Sequence, residues 1–203
     1  ETNEGQKVIS IYVFNNLCFV GISCAGDNLN EHCDEYRVFS RRPCEVNRAE
    51  YKLLEALRKF RITLKGGLAI DLGAAPGGWT KVLADSGMRV VAVDPALLHE
   101  KVTAIGSVRH AMMRAENFVS EEKIDLLVND MNSDPEVSAK IMVDMATNLK
   151  QHALAVMTLK LVILNPTKLI ENVRKVLGST YNILQIKNLF HNRREVTLLL
   201  EKQ

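Results

Sequence analysis

The stretch "DLGAAPGGWTKVLADSG", residues 71–87, indicates the architecture of this chain, because a glycine-rich turn joins an apolar run to a helical pattern. It contains four of the chain's eleven glycines. Two phosphate-binding patterns do not fit it. Trp79 stands where a Walker A loop needs lysine, and Ala75 stands where G-x-G-x-x-G needs its second glycine. The pattern that remains, D-x-G-x-x-x-G, suits a nucleoside that carries no phosphate.

Short apolar runs alternate with helical patterns along the rest of the chain. The runs LAIDLG, RVVAVDP, IDLLVND and ALAVMTLKLV are each followed by a helical segment. This alternation predicts a parallel sheet covered by helices on both faces. Upstream, NRAEYKLLEALRKF predicts a helix with Asn47 as its N-cap. Asp134-Pro135 and Asn165-Pro166 each predict the start of a further helix.

The end of the chain departs from this alternation. "YNILQIKN" and "EVTLLLE" both resemble strands, and the six residues LFHNRR join them. A parallel crossover needs about a dozen residues or more, so these strands are antiparallel if they pair. The predicted fold class is therefore α/β, a Rossmann-like sheet that is mostly parallel with an antiparallel last strand.

The N-terminal region predicts a small β appendage over residues 1–44, ahead of a main domain at 45–203. "KVISIYVF" and "LCFVGISC" are strand-like and flank Asn15-Asn16, which predicts a hairpin. All four cysteines lie in the first 44 residues without a C-x-x-C pair. This spacing favours reduced thiols over a zinc site, and we expect no metal.

Composition favours a globular protein, with 47% apolar and 25% charged residues in 203. The chain shows no signal-peptide pattern and no apolar run long enough to span a membrane, so we expect a soluble cytoplasmic protein. Charge is uneven, because residues 36–65 carry nine basic and three acidic side chains. Such a block suits either a polyanionic partner or a solvated helix face.

Charged residues follow the apolar runs at what should be one edge of the sheet. They are Asp71, Asp94, Asp130 and Lys160, with Glu195 at the start of the reversed last strand. Ligands of open α/β sheets bind at this edge. A carboxylate at Asp94 for ribose hydroxyls, next to a loop without a pyrophosphate site, suits S-adenosylmethionine.

Five motifs carry a resemblance to a known family. "NRAEYKLLEA", "DLGAAPGGWT", "LLVNDM", "VMTLKL" and "HNRREVTLLL" occur in this order between about residues 45 and 203. The chain resembles the FtsJ-like ribose 2′-O-methyltransferases, which carry a Lys-Asp-Lys-Glu tetrad. "LFHNRREVT" and the motif around Asp130 look most like the RlmM branch, bacterial enzymes that methylate large-subunit ribosomal RNA.

The resemblance implies specific site residues. It places the catalytic tetrad on Lys52, Asp130, Lys160 and Glu195. It places the S-adenosylmethionine site on Asp71, Gly73, Ala75, Pro76, Gly77, Gly78, Trp79, Asp94, Glu116 and Asp130. Asp94 should bind the ribose of S-adenosylmethionine. Glu116, where many relatives have Asp, should lie near its adenine.

The implied chemistry is methyl transfer to a ribose 2′-hydroxyl, which becomes nucleophilic when a base removes its proton. A lysine with its ordinary pKa of about 10.4 is protonated and is no base. We expect burial and the neighbouring Lys52 to depress the pKa of Lys160. Asp130 and Glu195 oppose this effect, so their expected work is to orient the lysine and stabilise the proton's charge.

RNA, in particular ribosomal RNA, is the expected partner, and some basic residues near the tetrad should contact its phosphates. The candidates are Arg41, Arg42, Arg48, Arg193 and Arg194, with His191 beside them. Two alternatives remain open. One is a nicotinamide-dependent oxidoreductase, against which the missing second glycine and Lys160 argue. The other is a non-catalytic RNA-binding protein that kept the fold, against which the intact tetrad argues.

Overall fold

The structure is a computed structural model that describes residues 7–15, 17–24, 44–161 and 166–203. Within these residues, seven strands form one sheet in the order β5-β4-β3-β6-β7-β9-β8. Their bounds are β3 Leu68–Leu72, β4 Arg89–Val93, β5 Val108–Ala111, β6 Ile124–Asn129, β7 Leu149–Lys160, β8 Tyr181–Lys187 and β9 Glu195–Lys202. Strands β3 to β7 pair in parallel, whereas β9 lies antiparallel between β7 and β8. The predicted α/β fold with an antiparallel last strand is confirmed.

Helices cover both faces of this sheet. They are α1 Ala49–Lys59, α2 Gly78–Asp85, α3 Glu100–Thr103, α4 Pro135–Met145 and α5 Pro166–Leu177. Leu53 of α1 shares a buried cluster with Ala69 of β3, on one face of the sheet. Met142 of α4 and Leu169 of α5 share another with Ile70, on the opposite face. Because successive β3 side chains are buried on opposite faces, the strand has no solvent-exposed face, which explains why Asp71 is the single polar residue in it.

Two sheet features differ from the sequence-based expectation. Strand β5, with the sequence VRHA, was not predicted, because it is a four-residue edge strand with two polar side chains and no apolar run. Strand β7 begins at Leu149, four residues before the apolar run that starts at Ala153. Leu149 pairs with Ile124 of β6, and a bulge separates this pair from the rest of the ladder.

The predicted helix starts agree with the structure where it describes them. Asp134 caps α4, and its side chain accepts hydrogen bonds from the Glu136 and Val137 N–H groups at 2.9 and 3.1 Å. The predicted cap Asn165 lies outside the described residues. Helix α1 is regular only from Ala49, two residues after the predicted cap Asn47.

The N-terminal hairpin is present. Strands β1 (Lys7–Phe14) and β2 (Leu17–Cys24) pair antiparallel, and Asn15 at the turn has a positive φ of 45°. Asn16 lies outside the described residues, and the division into 1–44 and 45–203 stays a prediction. The described part of the chain contains no group of His, Cys, Asp and Glu side chains arranged to hold a metal ion. It also contains no helix long and apolar enough to cross a membrane.

One buried hydroxyl ties α4 to the edge of the sheet and allows a test of the fold. Tyr181, 1% exposed, donates to the Met142 carbonyl at 2.7 Å. We expect Tyr181→Phe to lower the free energy of unfolding by about 1–2 kcal/mol, because it leaves a buried carbonyl without this donor. Urea denaturation measures this. Tyr12→Phe is the matched control, since Tyr12 is 63% exposed; an equal loss in both variants would contradict the assignment.

Candidate active site

Four charged side chains from four elements meet at the carboxyl edge of the sheet. Lys160 is the last residue of β7 and pairs directly with Glu195, the first residue of β9. Asp130 follows β6, and its N–H donates to the Leu72 carbonyl at 3.2 Å. Lys52 reaches the group from α1. The structure therefore brings together the four predicted tetrad residues, hereafter the tetrad.

The tetrad is a closed arrangement in which each ammonium contacts both carboxylates. Lys52 Nζ lies 2.9 Å from Asp130 Oδ1 and 2.6 Å from Glu195 Oε1. Lys160 Nζ lies 3.2 Å from Asp130 Oδ1 and 2.6 Å from Glu195 Oε2. The side chains are between 8% and 19% exposed. Two positive and two negative charges thus balance one another in a poorly solvated site.

The tetrad shifts the ionisation of two of its members. Burial acts to lower the pKa of Lys160, but the charges and hydrogen bonds of Asp130 and Glu195 outweigh it, and the pKa lies above its ordinary value. Burial acts to raise the pKa of Glu195, but Lys160 and Lys52 bring it below its ordinary value. The expected depression of the Lys160 pKa is therefore wrong for this structure, because two carboxylates contact one ammonium. Lys160 rests in the protonated form.

A network at the start of α1 fixes the position of Lys52. The Glu50 carboxylate accepts from the Val46 and Asn47 N–H groups at 2.6 and 3.2 Å. The Asn47 side chain accepts from the Ala49 N–H at 3.1 Å. This reciprocal pattern is a capping box, and Arg48 already has helical dihedral angles, so Asn47 caps the helix as predicted although the regular helix begins at Ala49.

Asn129 holds Asp130 in place and was not predicted as a site residue. Its side chain is fully buried, accepts from the Met131 N–H at 3.0 Å and donates to Ser138 of α4 at 3.0 Å. These bonds fix the backbone at Met131, directly after Asp130. A polar residue directly before Asp130, at the end of an apolar run, was the signal in the sequence.

The loop after β3 holds its shape through backbone contacts. Gly73 has a φ of +75°, and a Cβ there would lie 2.8 Å from the Met131 Cα. Gly77 has a φ of +114°. The Asp94 carboxylate accepts from the Ala75 N–H at 3.1 Å and the Ala96 N–H at 2.8 Å. The peptide between Ala75 and Pro76 is cis.

Asp71, the first residue of the loop motif, carries an unusual carboxyl group. It is 1% exposed, and its Oδ2 accepts from the Thr80 hydroxyl at 2.6 Å. Its Oδ1 is buried without a hydrogen-bond partner in the part of the chain that the structure describes. Burial raises the pKa of Asp71 to about 7, with Thr80 opposing this shift and Asp130 and Asp94 adding to it. The site is therefore suited to a cationic group that would favour the ionised carboxylate.

For two of the predicted cofactor residues, Trp79 and Glu116, the side chain is either buried in the core or exposed in a separate turn. The Trp79 side chain is 3% exposed and belongs to the buried cluster of α1 and α2. Its backbone alone is therefore placed to contribute to the loop. Glu116 is exposed in a 3-10 turn, Ala115–Asn117, and lines a cavity of about 210 Å³ with Phe118 and Ile141.

A cleft of about 370 Å³ opens beside the tetrad and is called the tetrad cleft below. Its lining residues are Arg48, Ala49, Lys52, Lys160, Phe190, His191, Asn192, Arg193 and Glu195. Of the predicted RNA-binding residues, Arg48 and Arg193 line it, and Arg194 is exposed next to it. Arg41 and Arg42 lie outside the described residues.

The chain is similar to known methyltransferases in sequence. The model of the FtsJ-like methyltransferase family matches residues 45–190. Ribosomal RNA large subunit methyltransferase M from Thauera aminoaromatica is 35% identical over 170 residues, which cover 79% of this chain and 45% of that protein. The chain spans about half the length of the curated relatives it matches.

Solved structures share the fold at lower sequence identity. A candidate hemolysin from Lactococcus lactis has a TM-score of 0.68 at 19% identity, over 80% of this chain and 90% of that one. The 1,6-didemethyltoxoflavin-N1-methyltransferase of Burkholderia thailandensis, solved with S-adenosylhomocysteine, has a TM-score of 0.58 at 14% identity, over 77% of each chain. The sequence match covers the loop and three tetrad residues, and the fold agrees with it: the chain belongs to the FtsJ-like methyltransferase family.

Proposed function

We propose that this chain transfers a methyl group from S-adenosylmethionine to a ribose 2′-hydroxyl of RNA, in large-subunit (23S-type) ribosomal RNA. The observation that carries the proposal is the closed tetrad, which places Lys160 at a cleft lined by Arg48 and Arg193. The choice of ribosomal RNA rests on the names of relatives such as that from Thauera aminoaromatica.

The loop after β3 fits S-adenosylmethionine, which supplies an electrophilic methyl group on a positively charged sulfur when bound. The buried Asp71 Oδ1, without a partner in the described residues, suits a cationic group of the ligand. Asp94 keeps lone pairs for ribose hydroxyls beyond the two backbone bonds it accepts. Gly77 and Gly78 present a backbone without side chains. These residues, with Gly73, form the centre of the proposed cofactor site. Its remaining proposed members are Ala75, Pro76, Trp79 and Glu116.

Lys160 is the proposed general base. Asp130 and Glu195 hold its Nζ at 3.2 and 2.6 Å, which fixes the direction from which a hydroxyl in the tetrad cleft meets it. Because its resting form is the ammonium, Lys160 has to release a proton to the solvent in the tetrad cleft before it accepts the one from the 2′-hydroxyl. The two carboxylates then stabilise the lysine that has regained a proton. Lys52 balances their charge, and most of the acceleration comes from positioning.

RNA binding is proposed for Arg48 and Arg193 in the tetrad cleft and for Arg194 beside it. Arginine contacts to phosphates would set the register of the bound RNA strand, so that one ribose lies next to the buried tetrad. The described site residues do not favour the alternative of a nicotinamide-dependent oxidoreductase. The loop lacks the second glycine, and a lysine held by two carboxylates has no role in binding a dinucleotide.

The direct test of the function is a map of 2′-O-methyl groups in large-subunit ribosomal RNA from cells with and without the protein. One site should lose its methyl group in the absence of the protein and regain it on complementation. An unchanged map, together with no transfer of labelled methyl to purified RNA, would refute the proposed function.

Lys160→Ala should reduce methyl transfer by about 10²- to 10⁴-fold, the range for loss of a general base. S-adenosylmethionine binding, measured by calorimetry, should fall far less than transfer, because Lys160 contacts Asp130 but lies outside the loop after β3. Lys140→Ala is the matched control, since Lys140 is exposed on α4. Full activity of Lys160→Ala would show that another group takes the proton.

The rate of transfer should rise with pH, because the neutral form of Lys160 is the active one and its pKa is raised. Glu195→Gln removes one of the charges that raise this pKa. The rising limb of the profile should therefore move to lower pH, by roughly one unit, although the maximal rate falls. Single-turnover rates across pH measure this shift, with the exposed Glu171→Gln as control. A limb that moves to higher pH would contradict the assignment.

Binding of S-adenosylmethionine should release protons between about pH 6 and 7 because a bound cation favours ionised Asp71, whose pKa is raised to about 7. Calorimetry in two buffers with different ionisation enthalpies measures the release. Asp71→Asn should abolish the part of the difference in binding enthalpy between the two buffers that comes from this carboxyl. An identical release in the variant would assign the protons to another group.

A further inference from the structure

The segment between β8 and β9, residues 188–194, carries Arg193 and leads directly into Glu195. Four of its residues, Phe190, His191, Asn192 and Arg193, line the tetrad cleft. The position of this loop therefore determines where one wall of the cleft stands. The proposed function does not explain what holds it.

Glu55 of α1 contacts this loop through three hydrogen bonds. Its Oε1 accepts from the Phe190 N–H at 2.7 Å, and its Oε2 accepts from the His191 N–H at 3.0 Å. Oε2 also lies 2.7 Å from His191 Nδ1. Glu55 is 1% exposed, so these contacts replace water around a buried carboxylate.

The imidazole of His191 is enclosed and oriented. Its ring centroid lies 5.4 Å from that of Tyr51 and 5.2 Å from that of Phe190, the latter edge to face. The side chain is 17% exposed. Because the carboxylate of Glu55 can only accept, the bond requires the proton on Nδ1.

The same helix face holds the tetrad and the loop. Lys52 and Glu55 are three residues apart on α1, so they lie on one side of the helix. Lys52 contacts Glu195 at 2.6 Å, while Glu55 contacts residues 190 and 191. Helix α1 therefore holds the chain on both sides of Arg193, at residues 190 and 191 and at Glu195.

We propose that Glu55 and His191 are positioning residues for methyl transfer, hereafter the anchor pair. The pair fixes the loop against α1, so that Arg193 and Glu195 face the same bound RNA segment. The proposed role of His191 is its Nδ1 bond to Glu55, which differs from the phosphate contact that its place beside Arg193 suggested. This inference rests on the proposed function, because the substrate positioned is RNA.

The two conservative replacements of His191 separate the anchor from a direct contact. Asparagine places an amide N–H near the position of Nδ1, whereas glutamine places its amide near Nε2. We expect His191→Asn to keep the KM for RNA within about threefold of wild type, and His191→Gln to raise it at least tenfold. The Kd for S-adenosylhomocysteine should be the same in both variants. The opposite order, with His191→Gln active and His191→Asn impaired, would overturn the anchor role.

Hydrogen exchange tests the anchor pair independently of activity. The Phe190 and His191 amides should exchange at least tenfold faster in Glu55→Gln, because the uncharged amide is the weaker acceptor, while the amides of β3 exchange as in wild type. Unchanged exchange would refute the anchor pair and leave the proposed function intact. Faster exchange with unchanged RNA kinetics would show a purely structural contact. A wild-type protein that methylates no RNA would instead overturn the proposed function, and the positioning role with it.

Discussion

The site depends on the mutual neutralisation of four poorly solvated charges. A lysine or carboxylate at 8% to 19% exposure is costly alone, and the tetrad is tolerable because every ammonium contacts both carboxylates. This condition constrains the fold. Lys160 and Glu195 can face each other only if β9 runs antiparallel to β7 and starts where β7 ends. The reversed strand is therefore a condition for the tetrad.

Helix α1 connects the parts of the site. Its first turn is closed by Asn47 and Glu50, its middle supplies Lys52, and its next residue on the same face is Glu55. The start of the helix also lies against α2, since a Cβ on Gly78 would collide with the Asn47 side chain and lie 3.2 Å from the Glu50 nitrogen. One helix thus contributes to the tetrad, to one wall of the cleft and to the packing of the loop after β3.

The sequence predicted six of the seven strands of the sheet and the edge at which the tetrad lies, because apolar runs and the polar residues that end them report burial and strand direction directly. The tetrad was found through a family pattern, since Lys52 alone reads as a solvated helix lysine. Strand β5 was missed because an edge strand of four residues has no apolar signature. The direction of the Lys160 pKa shift and the burial of Trp79 depend on distances between elements, which no local pattern contains.

The proposed donor and acceptor sites meet at the junction of β3 and β6. The Asp130 N–H donates to Leu72, and the next residue after Leu72 is Gly73, whose Cα hydrogen faces Met131 with no room for a side chain. Met131 is in turn fixed by Asn129, which donates to α4. The loop after β3 and Asp130 are therefore two ends of one short, tightly packed backbone contact. A side chain at position 73 would displace both at once, so glycine there serves the distance between the two sites as much as the turn itself.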